Sequence, residues 1–190
     1  LITFVKYAFQ VEDTYAFLVP FSFYVSYLVF SLPAAAILRR TGMKKGMALG
    51  LAAMAVGAVL FGQFVSWRVF SGALTGLFVI GAGLSLLQTA SNPYISILGP
   101  IDSAARRIAI MGICNKVAGM IAPLVFGALV MNGIGSFDGE IAAAADAGAR
   151  EALLDAFAAK VYWPYMVMAV LLAGLAAWVA RSSLPEIRTD

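Results

Sequence analysis

Two short polar clusters interrupt the apolar stretches of this 190-residue chain. The first is Leu87-Gln88-Thr89-Ala90-Ser91-Asn92-Pro93-Tyr94, where Gln88 and Asn92 stand four apart and so share a helical face. The second is Cys114-Asn115-Lys116. Three amides and one ammonium can exchange hydrogen bonds with a polar cargo, and the ammonium can balance a carboxylate. They are poor material for covalent chemistry. The chain has no His and one Cys, which excludes a disulfide framework, a Cys/His zinc site and a Ser or Cys nucleophile activated by an imidazole. No metal, no cofactor and no enzymatic activity are expected.

What must position these groups follows from composition. The chain is 62% hydrophobic and 12% charged, with a mean hydropathy of +0.91, against roughly 45–50% and 25% in soluble domains. So much apolar surface needs lipid as a second solvent, and the expected class is an all-α integral membrane protein. A ruler of about 20 apolar residues per crossing places five complete spans: Tyr15–Leu38, Gly46–Val65, Val69–Leu98, Ile108–Met131 and Tyr162–Ala180. Leu1–Phe9 is too short to cross alone and reads as the stub of a first helix. Pro93 is expected to kink its span. Residues 132–160 form the long hydrophilic segment, read as an amphipathic extramembrane helix because Asp146, Arg150, Glu151 and Asp155 fall on one face. The division is then a transmembrane bundle over 1–181 and the start of a central cytoplasmic linker over 182–190.

The net charge of +3 does not imply a nucleic-acid partner, because the basic residues cluster at the ends of apolar runs. Arg39, Arg40, Lys44 and Lys45 follow one span, and Arg106 and Arg107 precede another. With alternating spans they share one side, expected to be cytoplasmic. The expected setting is a multi-pass protein of the cytoplasmic (inner) membrane. Glycines such as Gly46, Gly50, Gly72, Gly76, Gly112, Gly119 and Gly127 are read as sites of close helix approach. Cys114 is expected to be a small buried residue.

Depth connects the clusters to function. Lys116 lies nine residues past Arg107, about 13 Å along a helix, and Gln88 lies twelve before Pro100, about 18 Å. Both fall near the middle of a core about 30 Å thick, the level at which secondary transporters hold their cargo. Gln88 and Asn92 have a second reading as interhelical hydrogen-bonding groups. Lys116 has one as a snorkelling side chain, although a reach of about 6 Å falls short of the interface. A buried ammonium needs a counter-charge or water, supplied by a first helix, by another half of the protein or by a wet cavity. Phe21, Phe23, Tyr24 and Tyr27 fit sugar stacking and ordinary packing equally well.

The run from Leu87 to Pro100 resembles the LQTAANPYxxxLGP signature of the fucose–galactose–glucose:proton symporters, within the major facilitator superfamily. Ser103-Ala104-Ala105-Arg106-Arg107-Ile108, Asn115, Ala122-Pro123, and Ser31-Leu32-Pro33-Ala34 ahead of Gly42-Met43-Lys44-Lys45-Gly46 fit the same pattern. The resemblance covers nearly the whole chain and implies the amino-terminal six-helix half of a twelve-helix carrier. It implies alternating access and proton-coupled movement of a monosaccharide. The implied partners are the bilayer, the sugar, a proton and a carboxy-terminal six-helix half. By this resemblance Gln88, Asn92, Asn115, Lys116, Tyr24 and Tyr27 line the translocation path. Arg39, Arg40, Lys44, Lys45, Arg106 and Arg107 set topology and help close the cytoplasmic side. The chain departs from the family in three places. Gln88 stands where fucose permeases often have Glu. Lys116 stands where many members have a small polar residue. The basic turn at 39–45 lacks the Asp common in the superfamily's gating loop. A carrier or exporter of a different small solute is the alternative reading.

Overall fold

The structure is a computed structural model that describes residues 2–130, 134–144 and 146–188. The regular structure among the described residues is all helical: α1 (Ile2–Phe9), α2 (Asp13–Ala16), α3 (Leu18–Thr41), α4 (Met43–Ser66), α5 (Phe70–Ile97), α6 (Ala104–Val130), α7 (Ile134–Ala142), α8 (Ala147–Ala159) and α9 (Tyr162–Arg181), with a single 3-10 turn at Ile101–Ser103. Five stretches are long and apolar enough to cross a bilayer: Thr14–Thr41, Met43–Ser66, Phe70–Ile97, Ile101–Val130 and Ala147–Arg181. That is the number expected, and α1 is the stub. α5 stays helical through Pro93 and ends one turn later.

α4 is the centre of the bundle. It packs on α5 along one side and on α9 along the other, and α5 carries α3 on its far side. The α4–α5 contact is backbone against backbone. A Cβ on Gly83 would stand 2.7 Å from the Gly50 carbonyl oxygen, and one on Gly76 would stand 2.5 Å from the Phe61 nitrogen. In lipid, association depends on such close packing because apolar side chains gain little by leaving the solvent. Outward apolar residues stay uncovered accordingly: Leu32 is 81% exposed and Val170 72%.

α6 differs. Its ends are fastened, one through Arg107 and the other where the Phe126 ring meets Phe4 edge-on and Val130 is buried. Its middle is exposed, and Gly112, Gly119 and Gly127 have nothing within 4 Å of where a Cβ would sit. The expectation of close approach at glycine therefore holds on α4 and α5 and does not extend to the described surroundings of α6. Cys114 is exposed rather than buried, for the same reason.

The hydrophilic segment folds as two helices, α7 and α8, where the sequence reading gives one. Asp146 caps α8 by accepting from the Ala149 N–H at 2.7 Å. Leu154, Phe157 and Ala158 of α8 are buried, and the Phe157 ring stacks on Phe4 of α1 at 5.0 Å and on Phe137 at 4.4 Å. Residues 131–133 and 145 lie outside the described residues. Arg68, in the α4–α5 turn at φ 54, ties this layer down. Its Nε donates to the Ala8 carbonyl at 3.0 Å, and its Nη1 donates to Glu151 and to Asp155. Burial alone would lower the guanidinium pKa; the bonds to the two carboxylates outweigh it and the net shift is upward. Both carboxylates are more than half exposed, so Arg68→Ala should cost no more than about 1 kcal/mol from the ion pairs themselves. Thermal unfolding at low and high salt checks this, the loss shrinking as salt rises.

Candidate functional site

The site is built on the α3–α5 seam. The Ser22 hydroxyl donates to the Leu74 carbonyl at 3.0 Å, and the buried Ser26 hydroxyl donates to the Phe78 carbonyl. Both pairs keep the same sequence offset, so the two helices run parallel along this stretch. Gly81 allows the approach, since a Cβ there would stand 2.6 Å from the Phe23 carbonyl oxygen. On the same helix pair, the Tyr27 hydroxyl donates to Gln88 Oε1 at 3.0 Å. Both residues are half-buried. Asn92, one turn beyond Gln88, is exposed. The Tyr24 ring is exposed and meets Phe23 edge-on at 5.4 Å.

Asn115 and Lys116 lie at the middle of α6, exposed, and no side-chain hydrogen bond or ion pair joins either to another described residue. Lys116 is twelve residues from the start of α6, about 18 Å, and Gln88 is nine from the end of α5, about 13 Å. The short turn between the helices sits at one end of both, so the two groups share a similar depth. The structure thus brings Tyr27 and Gln88 into contact and leaves Asn92, Asn115 and Lys116 unjoined. Two shallow grooves lie elsewhere, one lined by Ser22, Leu74, Thr75 and Phe78 and one along the outer face of α9; neither includes Gln88, Asn92, Asn115 or Lys116.

Arg39, Arg40, Lys44, Lys45, Arg106 and Arg107 gather at one end of the bundle, and they divide by what they touch. Arg39, Arg40, Lys45 and Arg106 are exposed. Arg107 is a helix clamp: Nε donates to the Ile95 carbonyl at 2.9 Å, Nη2 to Ser96 at 2.7 Å, and Nη1 to Pro100 at 3.1 Å and to the Ser103 hydroxyl. The Ile95 and Ser96 carbonyls belong to the last turn of α5, where helical partners run out. Arg107→Ala should therefore lower stability by about 1.5–3 kcal/mol, the worth of hydrogen bonds to a charged donor. Arg106→Ala should stay within about 0.5 kcal/mol. Thermal unfolding of the purified protein in detergent compares the two.

Lys44 is held by a feature that local sequence does not reveal. Residues 182–188 leave α9, turn back and cross beneath the basic end as an extended strap. The Met43 N–H donates to the Ile187 carbonyl at 2.9 Å and the Lys44 N–H to Glu186 Oε1 at 3.0 Å. Lys44 Nζ donates to the Ser182 carbonyl at 2.8 Å, and the Tyr94 hydroxyl to the Pro185 carbonyl at 2.9 Å. Leu184 and Ile187 pack on a cluster containing Ala34, Leu38, Met43 and Tyr94. Gly42 makes the crossing possible: its φ is 84, and a Cβ there would overlap Glu186. Glu186 caps the first turn of α4 and so supplies a carboxylate at a turn that carries none of its own. Glu186→Ala should cost about 1 kcal/mol, as loss of a helix cap does, measured by the same unfolding assay.

No family model matches the chain. The glucose/galactose transporter of Brucella abortus is 34% identical to it over all 190 residues, which cover 42% of that protein. The L-fucose-proton symporter of Escherichia coli is 28% identical over 184 residues, 96% of this chain and 42% of the relative. The crystal structure of the major facilitator superfamily transporter FucP in the outward conformation superposes with a TM-score of 0.81 at 25% identity, covering 97% of this chain and 45% of FucP. The chain thus spans less than half the length of these relatives. Its outward apolar helices are those of a membrane protein. Over its whole length the chain is similar in sequence to these sugar transporters, and in fold it matches the amino-terminal half of a major facilitator superfamily transporter.

Proposed function

We propose that the chain is the amino-terminal half of a secondary carrier that moves a monosaccharide, a hexose or deoxyhexose such as glucose, galactose or fucose, across the cytoplasmic membrane by alternating access. The observation that carries this reading is Gln88, an amide half-buried at mid-span and held there by Tyr27. Intramembrane polar groups are costly to keep, and an amide at that depth suits a hydroxyl-rich cargo. Gln88, Asn92 and Asn115 would exchange hydrogen bonds with sugar hydroxyls, each worth about 0.6–2 kcal/mol at bilayer depth. Contacts of that size, several at once, suit a cargo that must be released. Lys116 would pair with a carboxylate from the rest of the carrier, and the open middle of α6 would receive the remaining helices. Arg39, Arg40, Lys45 and Arg106, left exposed at the basic end, would help close the cytoplasmic side.

The relatives include an L-fucose-proton symporter, and proton coupling is the first expectation here. Gln88 cannot take up a proton, and no Asp or Glu lies in α3, α4, α5, α6 or α9. That favours, as second reading, a facilitator of the same fold with no proton step on these five helices. Uptake of radiolabelled hexoses into sealed vesicles carrying the full-length protein, with and without an inward proton gradient, separates them. Accumulation driven by the gradient supports coupling, gradient-independent equilibration supports the facilitator, and no hexose uptake overturns both.

A further inference from the structure

We infer that Tyr27 is a positioning residue that acts on the cargo through Gln88, holding the side-chain amide so that its nitrogen is the end offered to the sugar. The inference rests on the carrier reading above and adds which atom of Gln88 does the recognition.

A glutamine amide carries an acceptor at one end and two donors at the other, and an unheld amide can present either. Here the phenol fixes the choice. The Tyr27 hydroxyl is half-buried, and Gln88 Oε1 is the single acceptor that it has among the described residues, at 3.0 Å. If the amide turned over, Nε2 would donate to the phenol oxygen and the phenol's own proton would lose its acceptor. Either way one bond forms and two donors stay unpaired, so the strength of that bond decides, and a phenol proton on an amide oxygen is a stronger pair than an amide N–H on a phenol oxygen. The bond therefore selects the orientation with Oε1 toward Tyr27 and both N–H groups of Nε2 free.

The phenol is itself held in place. α3 is fastened to α5 by the Ser22 and Ser26 hydroxyls on the Leu74 and Phe78 carbonyls, and Gly81 lets the backbones meet. Ser26 is fully buried. Tyr27 follows it directly in sequence, so its Cα cannot drift from the seam without breaking that bond. Tyr24, one turn earlier, is exposed and has no such tie to α5. The two tyrosines therefore differ in kind, although sequence places them together as aromatic candidates.

The chemical consequence concerns the cargo. A free Nε2 donates, so the sugar group opposite must accept. A hydroxyl oxygen accepts and leaves its proton for another partner. Carbon-bound fluorine accepts weakly and cannot donate, and a deoxy position does neither.

The test is competition by singly fluorinated and singly deoxygenated hexoses against uptake of the parent sugar, using the full-length protein in vesicles. At one ring position the fluoro analogue should compete within about twofold of the parent, and the deoxy analogue should be weaker by about fivefold to tenfold, as expected for one hydrogen bond. Tyr27→Phe should erase the difference between the two analogues and raise the apparent KM more than it lowers Vmax. In a Gln88→Ala background, Tyr27→Phe should add nothing. Discrimination that survives Tyr27→Phe overturns the inference, as do additive effects of the two substitutions. Both leave the carrier reading intact, which fails only if the unmodified protein moves no hexose. A cargo-free measurement decides the matter even then. Thermal unfolding of the two single variants and the double variant should show Tm losses that are clearly less than additive, because they break the same bond. Additive losses mean that no bond couples the two residues.

Discussion

Replacing Gln88 by Ala should cut hexose uptake by about tenfold while the protein still accumulates in the membrane. The cargo loses a hydrogen bond worth about 0.6–2 kcal/mol at that depth, and tenfold lies within that range. The Tyr27 hydroxyl also loses its acceptor, which lowers stability with or without cargo. Gln88→Glu tests the same point from another side. The carboxylate keeps an acceptor for Tyr27 and loses the amide N–H donors, so uptake should fall although the Tyr27 bond survives. Lys116→Ala is the companion variant on α6. Initial uptake rates at matched protein levels decide the outcome, and unchanged rates in both Gln88→Ala and Lys116→Ala would remove these residues from the mechanism.

The second large effect concerns assembly. Gly76→Leu or Gly83→Leu should abolish accumulation of folded protein. The new Cβ alone would stand 2.5 Å from the Phe61 nitrogen in the first case and 2.7 Å from the Gly50 carbonyl oxygen in the second. Those neighbours are backbone atoms of α4, and they cannot turn aside as a side chain can. Inserting atoms into a filled interface costs about 1–3 kcal/mol even where the surroundings relax, and here the whole α4–α5 contact must open. Even Gly76→Ala should be strongly destabilising. Gly174→Ala on α9 is the control, since nothing lies within 4 Å of its would-be Cβ and alanine is the better helix former by about 1 kcal/mol. Membrane accumulation together with thermal unfolding in detergent reads both classes.

The apolar runs found every span, because length and hydropathy report which solvent a helix needs. They are silent about which helix lies beside which, since apolar surface in lipid need not be covered by protein. Cys114 shows the limit: an apolar neighbourhood implies burial in water-soluble proteins, but α6 carries its apolar surface open along the described chain. The glycines on α4 and α5 were legible as close-approach sites, whereas Gly112, Gly119 and Gly127 look identical in sequence and meet nothing described. Gln88 and Tyr27 were each visible as candidates, but their pairing joins residues far apart in sequence through the packing of two helices, and no local pattern encodes it. The strap at 182–188 is the plainest case. A Pro-containing stretch after the last span reads as a departing linker, and only the fold brings Glu186 to the first turn of α4.

Thiol accessibility tests the central claim most directly, that polar side chains of α5 and α6 face one water-filled, cargo-binding space. Cys114→Ala removes the single thiol of this 190-residue chain, thiols elsewhere in the full-length protein are replaced as well, and Gln88→Cys, Asn92→Cys, Asn115→Cys and Lys116→Cys are then introduced one at a time into that background. A membrane-impermeant thiol reagent should label all four from the aqueous phase, transported hexose should slow that labelling, and Leu32→Cys on the outer face of α3 should stay unlabelled. Reagent that reaches none of the four positions, or labelling that hexose never slows, would contradict the account.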